Sequence, residues 1–326
     1  MEIWQLGLLI SKFGVYLGVS ALLGGGWILC ITNTDTDTKF TLPASLQTTV
    51  TRHMRLFAVI GIIFSAFDFL FQVGQLAQSG YAGMFDPIMR EMVAHSTLGD
   101  VAKSRLVLFA SALLYLTYLG HSIRKNAFIS NRSLGIFIVI ALAGFGYTFT
   151  LTGHTQQLQP SLKFILAAHA VIALAWVGSL WPLSRTCVEL STPNLHHVMT
   201  KFGKSAMYPI GGLIIAGLLL AWQLVRSVSS LLDTNYGFVL LVKLLFVGAI
   251  FLIALLHKLR LVPQLLTGIT SPRTLQKSIQ IHQKPAKTSP NPPQTLQKPF
   301  KNPSQTLPRA PQERPRAPRS AHKRPR

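Results

Sequence analysis

The sequence predicts an all-α fold, a polytopic transmembrane helix bundle of about seven spans followed by a tail without a core. Three observations carry this. Of 326 residues, 49% are hydrophobic and only 13% charged, whereas a soluble domain is nearer a quarter charged. The apolar residues gather into runs of roughly 17–25, the length that crosses a hydrocarbon layer about 30 Å thick. Each run is evenly apolar rather than alternating, so helices rather than barrel strands satisfy the backbone in lipid.

In order, the runs fall at 3–31, 55–76, 105–121, 134–152, 162–184, 205–225 and 237–257. The first begins with Glu2 rather than a basic segment, is too long for a leader and shows no small-residue cleavage site, so it reads as a span. Gly24, Gly25 and Gly26 near its end predict close helix packing. The stretch YAGMFDPIMREMVAHSTLGD between the second and third runs reads as a short helix outside the membrane. Cys30 and Cys187 lie far apart, form no CxxC pair and are not expected to bridge. The bundle is assigned to 1–264. Residues 265–326 read as a basic, Pro-rich cytoplasmic tail that is disordered and contributes much of the net charge of +21. That tail has few aromatic residues and no recognisable nucleic-acid fold, so nucleic acid is not an expected partner.

Basic residues orient the bundle. Arg52, Arg55, Arg124, Lys125, Arg132, Arg185, Lys201, Lys204, Lys258 and Arg260 belong to the odd-numbered connections or follow the last run. The even-numbered connections are poorer in them. The N-terminus is therefore expected outside and the tail in the cytoplasm.

Polar residues inside the apolar runs are the main functional signal, because lipid penalises an ionisable group at a helix centre by about 2.5–3.5 kcal/mol or more. Asp68, His169, Lys243 and Lys12 each lie seven to nine residues from the outer end of their run, roughly 10–14 Å deep at the helical rise. Asp68 is expected to pair with Lys243 or Lys12, although Lys12 can also snorkel to the headgroups. Ser65, Asp68, Gln72 and Gln75 share one helix face. That face suits a lined path, or plain interhelical hydrogen bonding. Trp176 follows His169 by seven residues and shares its face. His154 sits at the outer mouth of the fourth run. Neutral imidazole ligates copper and zinc, but a helix histidine can equally be a hydrogen-bonded interior residue. Met89, Met92 and His95 stand three apart and would form one ridge on a helix. Thioether with imidazole suits Cu(I); an interfacial helix using Met as apolar filler is the alternative.

These residues lie within longer motifs. LTGHTQQLQPSLKFILAAHAVIALAWVGSLWPL, KFGKSAMYPIGGLIIAGLL and TNYGFVLLVKLLFVGAIFLIALLHKLRLVPQL together resemble the copper-resistance protein D family, as does STLGDVAKSRLVLF. The resemblance covers about 90–270 and is looser before that. His154, His169, Trp176, Gly178, Tyr236, Gly237, Lys243 and Pro263 fall on its motif positions. It implies a multi-pass protein of the bacterial inner membrane that handles periplasmic copper, and a copper ion that is bound or transported. A periplasmic copper-binding protein is an implied partner, beside the lipid bilayer. Some features depart from the family pattern. Lys12 and Phe13 are followed by Gly14 where members often carry a His. Ser179 replaces a Gly, and His257-Lys258 stands for Asn-Arg. LQKSIQIH begins like an eighth helix and then turns into QKPAKTSPNPPQTLQKP, as a replaced tail would.

The reading is copper transport across the membrane in copper resistance or homeostasis, with no catalytic reaction. His154, His169, Met89, Met92 and His95 are the expected metal ligands, and Asp68, Gln72, Trp176 and Lys243 are expected to line the path. A cytochrome b-like electron carrier and a non-transporting accessory subunit are the competing classes.

Overall fold

The long apolar runs form helices that continue well past the hydrocarbon on polar residues. In the computed structural model, which describes residues 2–33, 41–125, 130–152, 159–225, 235–256 and 259, the elements are α1 (Glu2–Asn33), α2 (Ala44–Ala77), a 3₁₀ turn (Tyr81–Phe85), α3 (Pro87–Ala94), α4 (Thr97–Arg124), α5 (Asn131–Thr150), α6 (Pro160–Glu189), α7 (Thr192–Val225) and α8 (Asn235–Leu256). All but α3 are long and apolar enough to cross a membrane, which makes seven candidate spans among the described residues. The tail expected at 265–326 lies outside the described residues.

The ends of these helices follow local chemistry. Gln78, at φ 50°, closes α2 in the left-handed region, with its N–H on the Gly74 carbonyl at 3.3 Å. The outer helix expected between the second and third spans is α3. Asp86 caps it by accepting the Met89 N–H at 2.9 Å, and Pro87 takes the first turn, where its missing N–H costs nothing.

The bundle is organised around α1, which packs along α2, α5 and α6. Small residues make this possible. Phe71 and Phe64 of α2 lie against Gly7 and Gly14, and Phe109 of α4 lies against both Gly18 and Gly61. The three consecutive glycines meet three different neighbours: Gly24 the backbone of α6 at Gly178 and Ser179, Gly25 the Met54 side chain, and Gly26 that of Ile138. At Gly14, the ring of Phe64 occupies the space a larger side chain would need. The apolar core runs through the same elements and includes Val15, Leu22, Met54, Phe109, Leu116 and Phe145. Cys30 and Cys187 are not bridged to each other.

Burial falls off along the chain. About half of the most apolar stretch of α1 is enclosed, little of that of α7, and none of that of α8. Phe251 of α8 stacks on Trp176 of α6, with centroids 5.6 Å apart.

Candidate functional site

The polar face of α2 is turned inward over half its length. Ser65 and Asp68 are buried, Gln72 is half-buried and Gln75 is exposed. The register between α2 and α4 places a partner opposite Asp68. The ring of Phe109 fills the notch at Gly61, so one turn further on Arg105 comes level with Ser65 and Asp68. Arg105 Nη1 lies 3.5 Å from Asp68 Oδ2, and both side chains are almost wholly enclosed, at 4% and 6% exposure. Ser11 of α1 donates to Asp68 Oδ1 at 3.1 Å and Gln72 donates to Oδ2 at 3.0 Å. Phe149 of α5 covers the guanidinium at 5.8 Å, and the Tyr16 ring lies 5.6 Å from that of Phe149. Four helices thus enclose one carboxylate and one guanidinium. Arg105 Nε and Ser65 Oγ are buried here without a hydrogen-bond acceptor.

This arrangement corrects the expected pairing. The partner of Asp68 is Arg105, not Lys243 or Lys12. Lys243 is exposed on α8, makes no ion pair among the described residues, and does not meet Asp68. Lys12 is also exposed. Arg105 was missed because it stands at the edge of its apolar run, where an arginine reads as a boundary residue. The usable signal was the spacing of Gly61 and Ser65, four residues, which matches that of Phe109 and Arg105 on an antiparallel neighbour.

His169 lies near the depth of this pair but faces elsewhere. Val171, two residues on, lies 3.8 Å from the Cβ position of Gly146, three residues before the Phe149 that covers Arg105. The His169 ring turns to α7, with Nδ1 at 3.1 Å from the Leu213 carbonyl and Cε1 3.1 Å from the Cβ position of Gly217. Nδ1 is therefore engaged, and Nε2 is the nitrogen left for a ligand. Trp176 holds Phe251, as described above. Ser179, in place of the motif's Gly, is fully buried and donates to the Trp176 carbonyl at 2.6 Å.

The soft-ligand ridge sits at the end of the bundle that carries α3. Met89 is half-buried, Met92 is exposed, and His95 follows α3 as an exposed cap. Met92 lines an open cleft of about 400 Å³ with Leu76, Val93, Ser96, Thr97 and Leu151. Leu76 is eight residues beyond Asp68 on α2, so the cleft opens about 12 Å above the ion pair. His154 lies outside the described residues, three positions beyond Leu151. Among the described residues, no three His, Cys, Asp or Glu side chains converge as a metal site.

The Ser11 bond gives a first test. Ser11→Ala removes one donor from a buried carboxylate and is expected to destabilise the bundle by about 1.5–3 kcal/mol. Thermal unfolding in detergent would measure it, and an unchanged midpoint would show that the bond contributes nothing.

Seven candidate crossings among the described residues, four of them enclosing a carboxylate–guanidinium pair, define a polytopic membrane protein that keeps charge inside its bundle. Residues 2–157 match the Copper resistance protein D-like N-terminal domain, and residues 196–282 match Copper resistance protein D. The chain belongs to the copper resistance protein D family, and the match reaches well before the 90–270 region. It is similar to Inner membrane protein YebZ of Escherichia coli (strain K12), with 25% identity over 212 residues, 64% of this chain and 70% of that protein. It is also similar to Copper transport protein CutJ of Bacillus subtilis (strain 168), with 27% identity over 239 residues, 69% of this chain and 43% of that protein. The chain thus spans less than half the length of the second relative. No solved structure matches.

Proposed function

We propose that this protein resides in the bacterial inner membrane and carries copper across it, without transforming any substrate chemically. The observation that carries the reading is the Met92-lined cleft opening above a buried Asp68–Arg105 pair, in a chain whose family is defined by copper resistance. Thioether and imidazole groups select Cu(I) over harder cations. In this reading copper is collected at the outer end by Met92, with Met89 and His95 beside it and His154, three residues beyond Leu151 in the sequence, as a further expected ligand. It then passes inward toward His169 Nε2. Asp68 is fully engaged by Arg105, Ser11 and Gln72. Its role is to hold α1, α2 and α4 in register beneath the cleft rather than to ligate the ion. The name of one relative, Copper transport protein, supports the same direction.

Copper uptake into vesicles reconstituted with the protein tests this. Met92→Leu combined with His169→Ala is expected to slow uptake by about tenfold, equivalent to about 1.4 kcal/mol. Uptake at the wild-type rate by a folded double variant would remove both residues from the path. Uptake no faster than in empty vesicles for the wild-type protein would remove transport itself.

A further inference from the structure

The described carboxylates are unevenly divided between the two ends of the bundle. Asp86, Glu91 and Asp100 lie at the end that carries α3, together with Arg90 and Lys103. At the opposite end, Glu189 is already paired with Arg185 at 2.8 Å. There α2 and α4 present Arg52, Arg55, His121, Arg124 and Lys125 and not one carboxylate.

Arg55 stands at the hydrocarbon boundary. It opens the 55–76 run of α2, and His121, one residue after Gly120, closes the 105–121 run of α4. The Arg55 guanidinium lies in the notch that Gly120 leaves, with Cζ and Nη1 at 3.7 and 3.8 Å from the Cβ position of that glycine. The fully buried Thr51 forms the wall of the same notch. Arg55 Nε is buried with no hydrogen-bond acceptor, a costly state for a charged group. Arg52 precedes Arg55 by three residues and Arg124 follows Gly120 by four, so both flank the notch on the helix faces that carry it. Leu56, Val59 and Tyr118 are exposed at or below this level.

The notch therefore lacks an acceptor for the Arg55 Nε–H, at the ends of two apolar runs where phospholipid phosphates lie. A guanidinium fork matches phosphate oxygens, and basic pockets between spans hold anionic headgroups. We propose that the notch between α2 and α4 binds the phosphate of an anionic phospholipid. Arg55 anchors it, Arg52 and Arg124 flank it, and the acyl chains lie along Leu56 and Val59 of α2.

The test is lipid retention. The full chain is purified in mild detergent, stripped of lipid, supplied with phosphatidylglycerol or phosphatidylcholine, and the lipid kept on the protein is counted by native mass spectrometry. Phosphatidylglycerol is expected to be retained in preference to phosphatidylcholine. Arg55→Gln is expected to lower its retention about fivefold, about 1 kcal/mol for one arginine at the membrane surface. Lys103→Gln, an equal loss of charge at the other end, is expected to leave retention unchanged. Arg52→Gln and Arg124→Gln alter exposed side chains and carry the test if Arg55→Gln does not fold. Equal retention by wild type and the folded arginine variants would overturn the site. An equal fall in Lys103→Gln would reduce the effect to net charge. Displacement of the lipid by inorganic phosphate at matched phosphate concentration would make dissolved phosphate the ligand and overturn the lipid assignment.

Discussion

Arg105→Met is expected to destabilise the bundle by about 3–5 kcal/mol, the cost of leaving one member of a buried ion pair alone. Asp68 and Arg105 are enclosed together, with Ser11 and Gln72 completing the carboxylate. Methionine fills much of the arginine's volume, so the loss comes from charge rather than from a cavity. The uncompensated Asp68 would then sit inside α2 with two neutral donors. The double variant Asp68→Leu, Arg105→Met should recover most of the loss, since replacing both members by apolar groups is often neutral or better. Thermal unfolding of the two variants in detergent separates the possibilities. If Arg105→Met were as stable as wild type, the pair would not hold α2 to α4.

Gly178→Ala is the second large effect, at about 3 kcal/mol, the upper end of the cost of over-packing. A methyl group on Gly178 would fall onto the Ser20 carbonyl of α1, and one on Gly24 would fall onto the backbone at Gly178 and Ser179. Both obstacles are backbone, so relief requires the helices to separate. Gly135→Ala of α5 provides the control. No heavy atom lies within 4 Å of its Cβ position, and the substitution should raise stability by about 0.5–1 kcal/mol through helix propensity. Opposite signs for the two alanines, read as unfolding midpoints, would place the effect at the α1–α6 contact. A common sign would refer both to propensity.

The seven crossings were legible because apolar run length follows directly from bilayer thickness. Where each helix begins was not. α2 starts at Ala44 and α7 at Thr192, more than ten residues before their apolar runs. The added turns, among them Gln47, Thr48, Thr49 and Arg52, are polar but good enough helix residues in water, and hydropathy does not register them. The same blindness hid Arg105. Counted from the apolar run it is a first residue; counted from Thr97, where α4 begins, it lies two turns inside. The face bearing Ser65, Asp68 and Gln72 was readable from spacing, yet spacing along one helix does not say which neighbour answers it. Lys243 was read as a partner on depth alone. Depth is shared by every helix of a bundle, whereas contact is decided by azimuth, which the uniformly apolar α8 sequence does not encode. His169 shows the same limit, because Leu213 accepts its bond through a backbone carbonyl that no side-chain pattern reveals.

The glycine surface of α1 has a consequence for biogenesis. Helix α1 finds one of its closest partners in α6, at Gly24 against Gly178, with more than 150 positions of chain between them. During insertion α1 must wait, its grooved flank facing lipid or the insertion machinery, until that later crossing emerges. Tertiary assembly of this protein is therefore a late event in translation, although its secondary structure is set early.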